Sequence, residues 1–199
     1  LLDHTAGLPA IRGPLKPDCL LDWDYMTERL AAEAPFWEPG VRLGYHAITF
    51  GFLVGEVVRR ISGRSLGGFF RDEIARPLGL DFWIGLPAAE EPRVAPIQIY
   101  RPPPGALPTP FTTAARERGS IPNLFLYNHG DWMAKGVNTP AGRAAEIGAA
   151  GGVTNGRGLA GFFAALLGPA ASGPLGLSAD ALAGFSQVSA ATHMDATLR

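Results

Sequence analysis

The sequence predicts an α+β fold that is rich in helix and contains a minor share of strand. Three long stretches have apolar residues at the three-to-four-residue spacing of an amphipathic helix, whereas two short runs of aromatic and β-branched residues are bounded by prolines. The 199 residues are 47% hydrophobic and 18% charged, which is enough apolar material for a core. No internal repeat or linker divides the chain, so we expect one compact unit.

Two helices are predicted in the first third of the chain. Asp24 can cap a helix over residues 24–33, whose apolar positions recur at helical spacing. A longer helix is expected over residues 45–61, because its apolar side chains fall on one face and two arginines occupy its last turn. Gly63 follows as the C-terminal cap of this helix.

The middle of the chain changes character after a third helix, which Ser65 can cap and Pro77 halts. Residues 81–86 and 93–100 are interpreted as two weak strands. Residues 101–122 carry many prolines and little periodicity, so an irregular loop is expected there. Helices are predicted to resume over two later ranges, 159–167 and 178–188.

Charge and composition exclude several classes of partner. The chain has 17 Lys+Arg and 18 Asp+Glu without a clustered basic run, so we expect no binding to nucleic acid. The longest apolar stretch, residues 47–58, is interrupted by Glu56 and is shorter than the ~20 residues of a spanning helix, so no membrane span is expected. Cys19 is the one cysteine, which rules out a disulfide within the chain and a multi-cysteine metal site.

One short motif suggests a nucleophile. The five residues from Gly63 to Gly67 match G-x-S-x-G, the nucleophile elbow of α/β-hydrolases, which needs a strand before the serine and a helix after it. Here the preceding segment is predicted to be helical, and Gly63 and Ser65 are already explained as helix caps. Capping is therefore the favoured interpretation, and an α/β-hydrolase that uses Ser65 is the alternative that a strand before Gly63 would support.

Titratable residues offer weaker candidates. Four histidines could serve acid–base chemistry near neutral pH: His4, His46, His129 and His193. No two of them have metal-ligand spacing, so neither a metal nor another cofactor is expected. Asp131 and Asp195 each follow a histidine by two residues, and Asp22 and Asp24 flank a tryptophan, but solvation, hydrogen bonding or helix capping explains each pair more simply.

Three segments carry longer motifs. They are LLDHTAGLP at the start, GYHAITFGFLVGEVVRRISGRSLGGFFRDEIARPLGL from Gly44, and EIGAAGGVTNGRGLAGFFAALL from Glu146. The first is similar to an L-L-x-H-T-S-G-L segment. The second is similar to a Tyr-x-Asn motif with its long helix, S-G-x-S turn and P-L-G-M/L ending, and the third to a later glycine-rich turn and helix. In this order they resemble the serine hydrolase family of class C β-lactamases, D-alanyl-D-alanine peptidases and related esterases.

The resemblance implies a β-lactamase/transpeptidase-like fold, in which a sheet flanked by helices joins a mostly helical subdomain and a serine active site lies between them. Residues 1–199 would form one partial domain, mainly the helical subdomain with short strands. In the family, the nucleophilic serine lies three residues before the lysine in the motif S-x-x-K. In this chain the residue three before Lys16 is Gly13, and the residue three before Lys135 is Trp132. We therefore expect the nucleophile region upstream of the chain, and the C-terminal strands with their Lys/His-Thr/Ser-Gly motif downstream of it.

The resemblance assigns the catalytic tyrosine of Tyr-x-Asn to Tyr45, whose phenolic oxygen would relay the proton of the serine hydroxyl to the leaving group. His46 and Ala47 occupy the second and third motif positions and are candidate substrate-binding residues. In β-lactamases the asparagine at the third position contacts the substrate amide. Because Ala47 replaces it, esterase-like activity is favoured over antibiotic hydrolysis.

Two functional hypotheses follow from the sequence. The first is a serine hydrolase that acts on a small ester or amide through an acyl-enzyme, without a cofactor. The second is a non-catalytic binding or structural protein on the same scaffold, because this chain contains no S-x-x-K pair. The oligomeric state is left open.

Overall fold

A computed structural model describes residues 1–130, 132, 135–167 and 175–198. The fold within these ranges is mostly helical with two short strands, as predicted. The helices are α1 (Trp23–Ala31), α2 (Thr49–Ser62), α3 (Leu66–Phe70), α4 (Pro110–Arg116), α5 (Ile121–Tyr127), α6 (Pro140–Ala144), α7 (Gly156–Leu167) and α8 (Ala179–Gly184). The strands are β1 (Phe82–Ile84) and β2 (Gly152–Thr154), and three 3-10 turns cover Cys19–Leu21, Ala88–Arg93 and Gly136–Asn138.

The predicted cap of α1 was off by two residues. Asp22, rather than Asp24, caps the helix, since its carboxylate accepts the Tyr25 N–H at 3.1 Å. Asp22 has an extended backbone from which its side chain can reach the first turn, whereas Asp24 already lies within the helix. Asp24 instead forms an ion pair with Arg59 at 2.6 Å, so these two carboxylates do not form a catalytic pair.

The long central helix begins at Thr49, four residues later than predicted. Its C-terminal end is confirmed, because Gly63 adopts a left-handed conformation with φ of 68° and donates its N–H to the Arg59 carbonyl. The cap at Ser65 is also confirmed, since its hydroxyl accepts the Gly68 N–H at 3.1 Å. Helix α3 then continues as a π-helical turn over Arg71–Ala75.

The strand predictions were half right. Strand β1 lies within residues 81–86 and pairs antiparallel with β2, in a register that places Trp83 opposite Val153. Residues 93–100 form no strand: Arg93 ends a 3-10 turn, and the N–H and C=O of Ile97 bind the amide side chain of Asn138. Strand β2 escaped prediction because three residues beside a glycine pair carry almost no periodic signal.

The proline-rich segment 101–122 is less irregular than predicted. Helix α4 begins at Pro110 behind the Thr109 cap, and α5 begins at Ile121 behind the Ser120 cap. The N–H groups of the first helical turn have no partner within the helix, so proline, which has no N–H, is tolerated there. These prolines therefore lie at the starts of helices. The two helices predicted near the end are confirmed as α7 and α8, with α8 shorter than expected.

The core packs α1 against α2 and brings distant segments to both. Its buried members are Ile11, Cys19, Leu20, Met26, Leu30, Ile48, Phe52, Trp132 and Ile147. A Cβ at Gly51 would overlap the backbone nitrogen of Ala149, and one at Gly55 would overlap the Trp23 ring. The absence of a side chain at these positions lets neighbours approach α2 closely.

Candidate active site

The Tyr-x-Asn-like residues lie in an extended turn immediately before α2. Tyr45 is 41% exposed, whereas His46 beside it is only 1% exposed and Ala47 is half-buried. The turn therefore presents a phenol to solvent from a backbone that is anchored in the interior.

Three successive backbone N–H groups of this turn are bound. The Gly44 N–H donates to the His4 carbonyl at 3.1 Å, and the His46 N–H donates to His4 Nδ1, also at 3.1 Å. Between them the Tyr45 N–H donates to both carboxylate oxygens of Asp195, at 3.1 and 3.2 Å. These bonds hold the turn to two distant segments, and helix α2 begins after it at Thr49.

His4 organises one side of the turn. Its backbone is left-handed, with φ of 60°, and its ring contacts Tyr45 edge-on at a centroid distance of 5.1 Å and Phe50 at 4.7 Å. Because Nδ1 accepts a hydrogen bond, the neutral ring carries its proton on Nε2. Burial lowers the pKa of His4, although the nearby Asp195 carboxylate acts in the opposite direction.

His46 locks the turn from inside the molecule. Its Nε2 accepts the Leu8 N–H at 2.9 Å, and its Nδ1 donates to the Gly44 carbonyl at 2.6 Å. The same segment is held once more where the Thr49 hydroxyl donates to the Leu8 carbonyl at 2.7 Å. Burial lowers the pKa of His46 to about 4, so the ring is neutral at physiological pH and both its nitrogens are used within the protein.

Ser65, the alternative nucleophile, does not stand at an elbow. Helix α2 precedes it where a nucleophile elbow requires a strand, so the α/β-hydrolase hypothesis was wrong. The Ser65 hydroxyl donates to Glu146 at 2.8 Å while it accepts the Gly68 N–H. The other oxygen of Glu146 accepts the Gly67 N–H, so the serine belongs to a helix cap.

The remaining titratable candidates are not brought together. His129 is buried, and neither of its ring nitrogens has a hydrogen-bond partner among the described residues, while Asp131, its predicted neighbour, lies outside them. His193 is exposed, and Asp195 binds backbone amides rather than that histidine. Within the described ranges, no group of three or more His, Cys, Asp or Glu side chains is placed to hold a metal ion.

None of the helices described is both long and apolar enough to cross a membrane.

Two features of the structure were not predicted. A cavity of about 370 Å³ lies beside β1 and β2, and its lining includes Trp83, Arg93, Asn138 and Arg143. Asp195 holds the backbone of Tyr45. No local signal could reveal that contact, because its two partners are 150 positions apart in the sequence.

Comparison with known proteins identifies the family and the fold. The sequence model of the Beta-lactamase family matches residues 1–197. The chain is 38% identical over 174 residues to Esterase/beta-lactamase LipL of Mycobacterium tuberculosis, a match that covers 83% of the chain and 39% of that protein. A crystal structure of a family VIII carboxylesterase is 38% identical with a TM-score of 0.72, over 92% of this chain and 46% of the other. A penicillin-binding protein homologue from Caulobacter crescentus is 31% identical with a TM-score of 0.73, over 91% of this chain and 46% of the other.

Over the residues that the structure describes, the chain has a β-lactamase/transpeptidase-like fold. The chain belongs to the Beta-lactamase family of serine hydrolases and related proteins. It spans less than half the length of the relatives described above.

Proposed function

We propose that the full-length protein is a serine hydrolase that cleaves a small ester, or less readily an amide, through an acyl-enzyme. Family membership supports the hydrolase class, and similarity to a protein named an esterase/β-lactamase and to a carboxylesterase supports an ester substrate. The methyl side chain of Ala47 can form no hydrogen bond, so the motif lacks an amide partner for a β-lactam at this position. The nucleophilic serine and its lysine come from a part of the protein outside this chain.

The observation that carries the proposal is the placement of Tyr45. An exposed phenol on a backbone fixed by consecutive hydrogen bonds is suited to proton transfer, which requires a donor and an acceptor in stable geometry. In acylation, the serine oxygen bonds to the ester carbon and the ester C–O bond breaks. Tyr45 relays the proton: its oxygen accepts the proton of the serine hydroxyl as its own hydroxyl proton passes to the oxygen of the departing alcohol.

Deacylation reverses the roles. Water attacks the acyl carbon, its proton passes through Tyr45 to the serine oxygen, and the carboxylic acid leaves. Ala47 lies half-buried two residues before α2, and its methyl group is smaller than the asparagine side chain of the family motif. His46, with both ring nitrogens bound to backbone, contributes by holding the turn.

Substitution of Tyr45 tests the proposal. In the full-length protein, Tyr45→Phe removes the proton carrier and should lower kcat on a short-chain p-nitrophenyl ester by roughly 100-fold to 10,000-fold, the usual range for a general acid–base group. Tyr127→Phe changes a tyrosine on α5 that is also exposed, and it should leave kcat unchanged. Covalent labelling by a serine-reactive phosphonate should accompany turnover. Unlabelled, inactive wild-type protein would favour the non-catalytic alternative, and full turnover by Tyr45→Phe would remove the role given to that tyrosine.

A further inference from the structure

Asp195 makes a long-range contact with the turn that carries Tyr45. Both of its carboxylate oxygens lie within 3.1 and 3.2 Å of the Tyr45 backbone nitrogen. One of these oxygens also accepts the N–H groups of Thr197 at 2.7 Å and Leu198 at 2.8 Å. The carboxylate is thus oriented by its own local turn, as in an Asx turn, and meets Tyr45 in a fixed direction.

The segment around Asp195 is held in register against residues 43–45. The Ala196 N–H donates to the Leu43 carbonyl at 3.0 Å. Thr197 is completely buried, and a Cβ at Gly44 would lie 3.0 Å from its hydroxyl oxygen. The Ala196 bond to Leu43 and the Asp195 bond to Tyr45 lie on either side of Gly44, so the segment is held to the turn through backbone groups and the carboxylate.

We propose that Asp195 is a positioning residue that holds the Tyr45 phenol in place for proton transfer, an inference that rests on the function proposed above. The Tyr45 ring is 41% exposed and has His4 at its edge, so much of its position is set through the backbone. A hydrogen bond from an amide to a carboxylate is about twice as strong as one between neutral groups. Asp195 therefore supplies the strongest restraint among the acceptors of the three consecutive amides.

The expected signature is a loss of rate without a loss of substrate binding. A displacement of about 1 Å in a reacting group can cost roughly 100-fold in rate, and Asp195 acts from the backbone side of the tyrosine. In the full-length protein, Asp195→Ala should lower kcat on a short-chain p-nitrophenyl ester by about 10-fold to 100-fold. KM should change by less than about threefold, because the substitution leaves uniform substrate binding intact.

Three further variants separate positioning from a general loss of stability. Asp195→Asn keeps an oxygen that can accept the same amides, so it should restore most of kcat. Thr197→Ala removes a buried side chain from the same segment and leaves the carboxylate in place. It should lower the melting temperature with little effect on kcat. In a Tyr45→Phe background, Asp195→Ala should cause no additional loss, because the group that it positions is gone.

The outcomes distinguish this inference from the proposed function. If Tyr45→Phe is inactive while Asp195→Ala keeps the wild-type kcat, the positioning role is overturned and the proposed function stands. A loss for Asp195→Ala that adds fully to that of Tyr45→Phe, or that Thr197→Ala reproduces, also overturns it. If Tyr45→Phe is fully active, the proposed function fails at Tyr45. The positioning role of Asp195 is then overturned as well, because no proton carrier remains for it to position.

Discussion

His46 is a buried histidine whose hydrogen bonds require one tautomer. Its Nε2 must accept the Leu8 N–H while Nδ1 donates to the Gly44 carbonyl, so a second proton would set two N–H groups against each other. The neutral form is therefore part of the folded structure. His46 ties the opening segment of the chain to the turn before α2, and a change of its charge affects both.

This requirement predicts a loss of stability in mild acid. The pKa of His46 falls from 6.5 to about 4 on folding, so between these values the unfolded chain binds a proton that the folded chain excludes. The free energy of unfolding should decrease as the pH falls from 6.5 to 4, by up to about 3 kcal/mol from this group. Denaturant unfolding of the full-length protein across this range measures the slope.

Variants of two histidines isolate the contribution. His4 and His129 also have lowered pKa values because of burial, so the wild-type slope contains more than one group. His46→Gln should reduce the slope, whereas His193→Gln at an exposed position should leave it unchanged. An equal slope in wild type and His46→Gln would contradict the assignment.

At the scale of elements, the turn between α2 and α3 is built from two caps and a carboxylate. Gly63 ends α2, Ser65 begins α3, and Glu146 binds both the Ser65 hydroxyl and the Gly67 N–H at 2.8 Å. A negative charge at a helix N-terminus is favourable, because the first N–H groups have no partner within the helix. The carboxylate also connects this turn to the segment that leads into β2.

The turn provides a test that separates capping from catalysis. Ser65→Ala removes the cap and the bond to Glu146, and should lower the free energy of unfolding by about 1–2 kcal/mol without reducing ester turnover. Ser178→Ala removes the cap of α8, where the serine hydroxyl accepts only the Ala181 N–H among the bonds described, and should cost less. A large loss of kcat in Ser65→Ala would restore Ser65 as a catalytic candidate.

The sequence predicted elements where local chemistry determines them. The end of α2 at Gly63 and the start of α3 at Ser65 depend on residues within one turn, and both were correct. The start of α2 was wrong because residues 44–46 form a turn outside the helix, and the residues that hold this turn, His4 and Asp195, are distant in sequence. The second strand was predicted at residues 93–100 rather than at β2. Strands β1 and β2 pair across some 70 positions, and such distant pairing leaves no periodic pattern in the sequence. Within the candidate site, the motif identified Tyr45, but no spacing rule could indicate Asp195.

At the scale of the whole molecule, segments from both ends of the chain stabilise one core. Residues 11–52 supply most of its buried side chains, while Trp132 and Ile147 complete it. Strand β1 pairs with β2 across the same division. Residues 95–109 connect the half of the chain that ends after β1 to the half that contains β2. They are exposed and belong to no helix or strand. The core and the β1–β2 pair therefore lie outside this connection, which the Asn138 side chain binds at Ile97.

Limited proteolysis tests this organisation. Tyr100 is 79% exposed in the connection, so among these residues chymotrypsin should cut first after Tyr100. Leu107 is also exposed, but Pro108 follows it and resists cleavage, and Tyr127 is protected by the hydrogen bonds of α5. The nicked halves should stay together in gel filtration without denaturant, because the core and the β1–β2 pair hold both. Tyr100→Ser should abolish this first cut. Cleavage after Tyr127 before Tyr100, or separation of the nicked halves, would contradict this organisation.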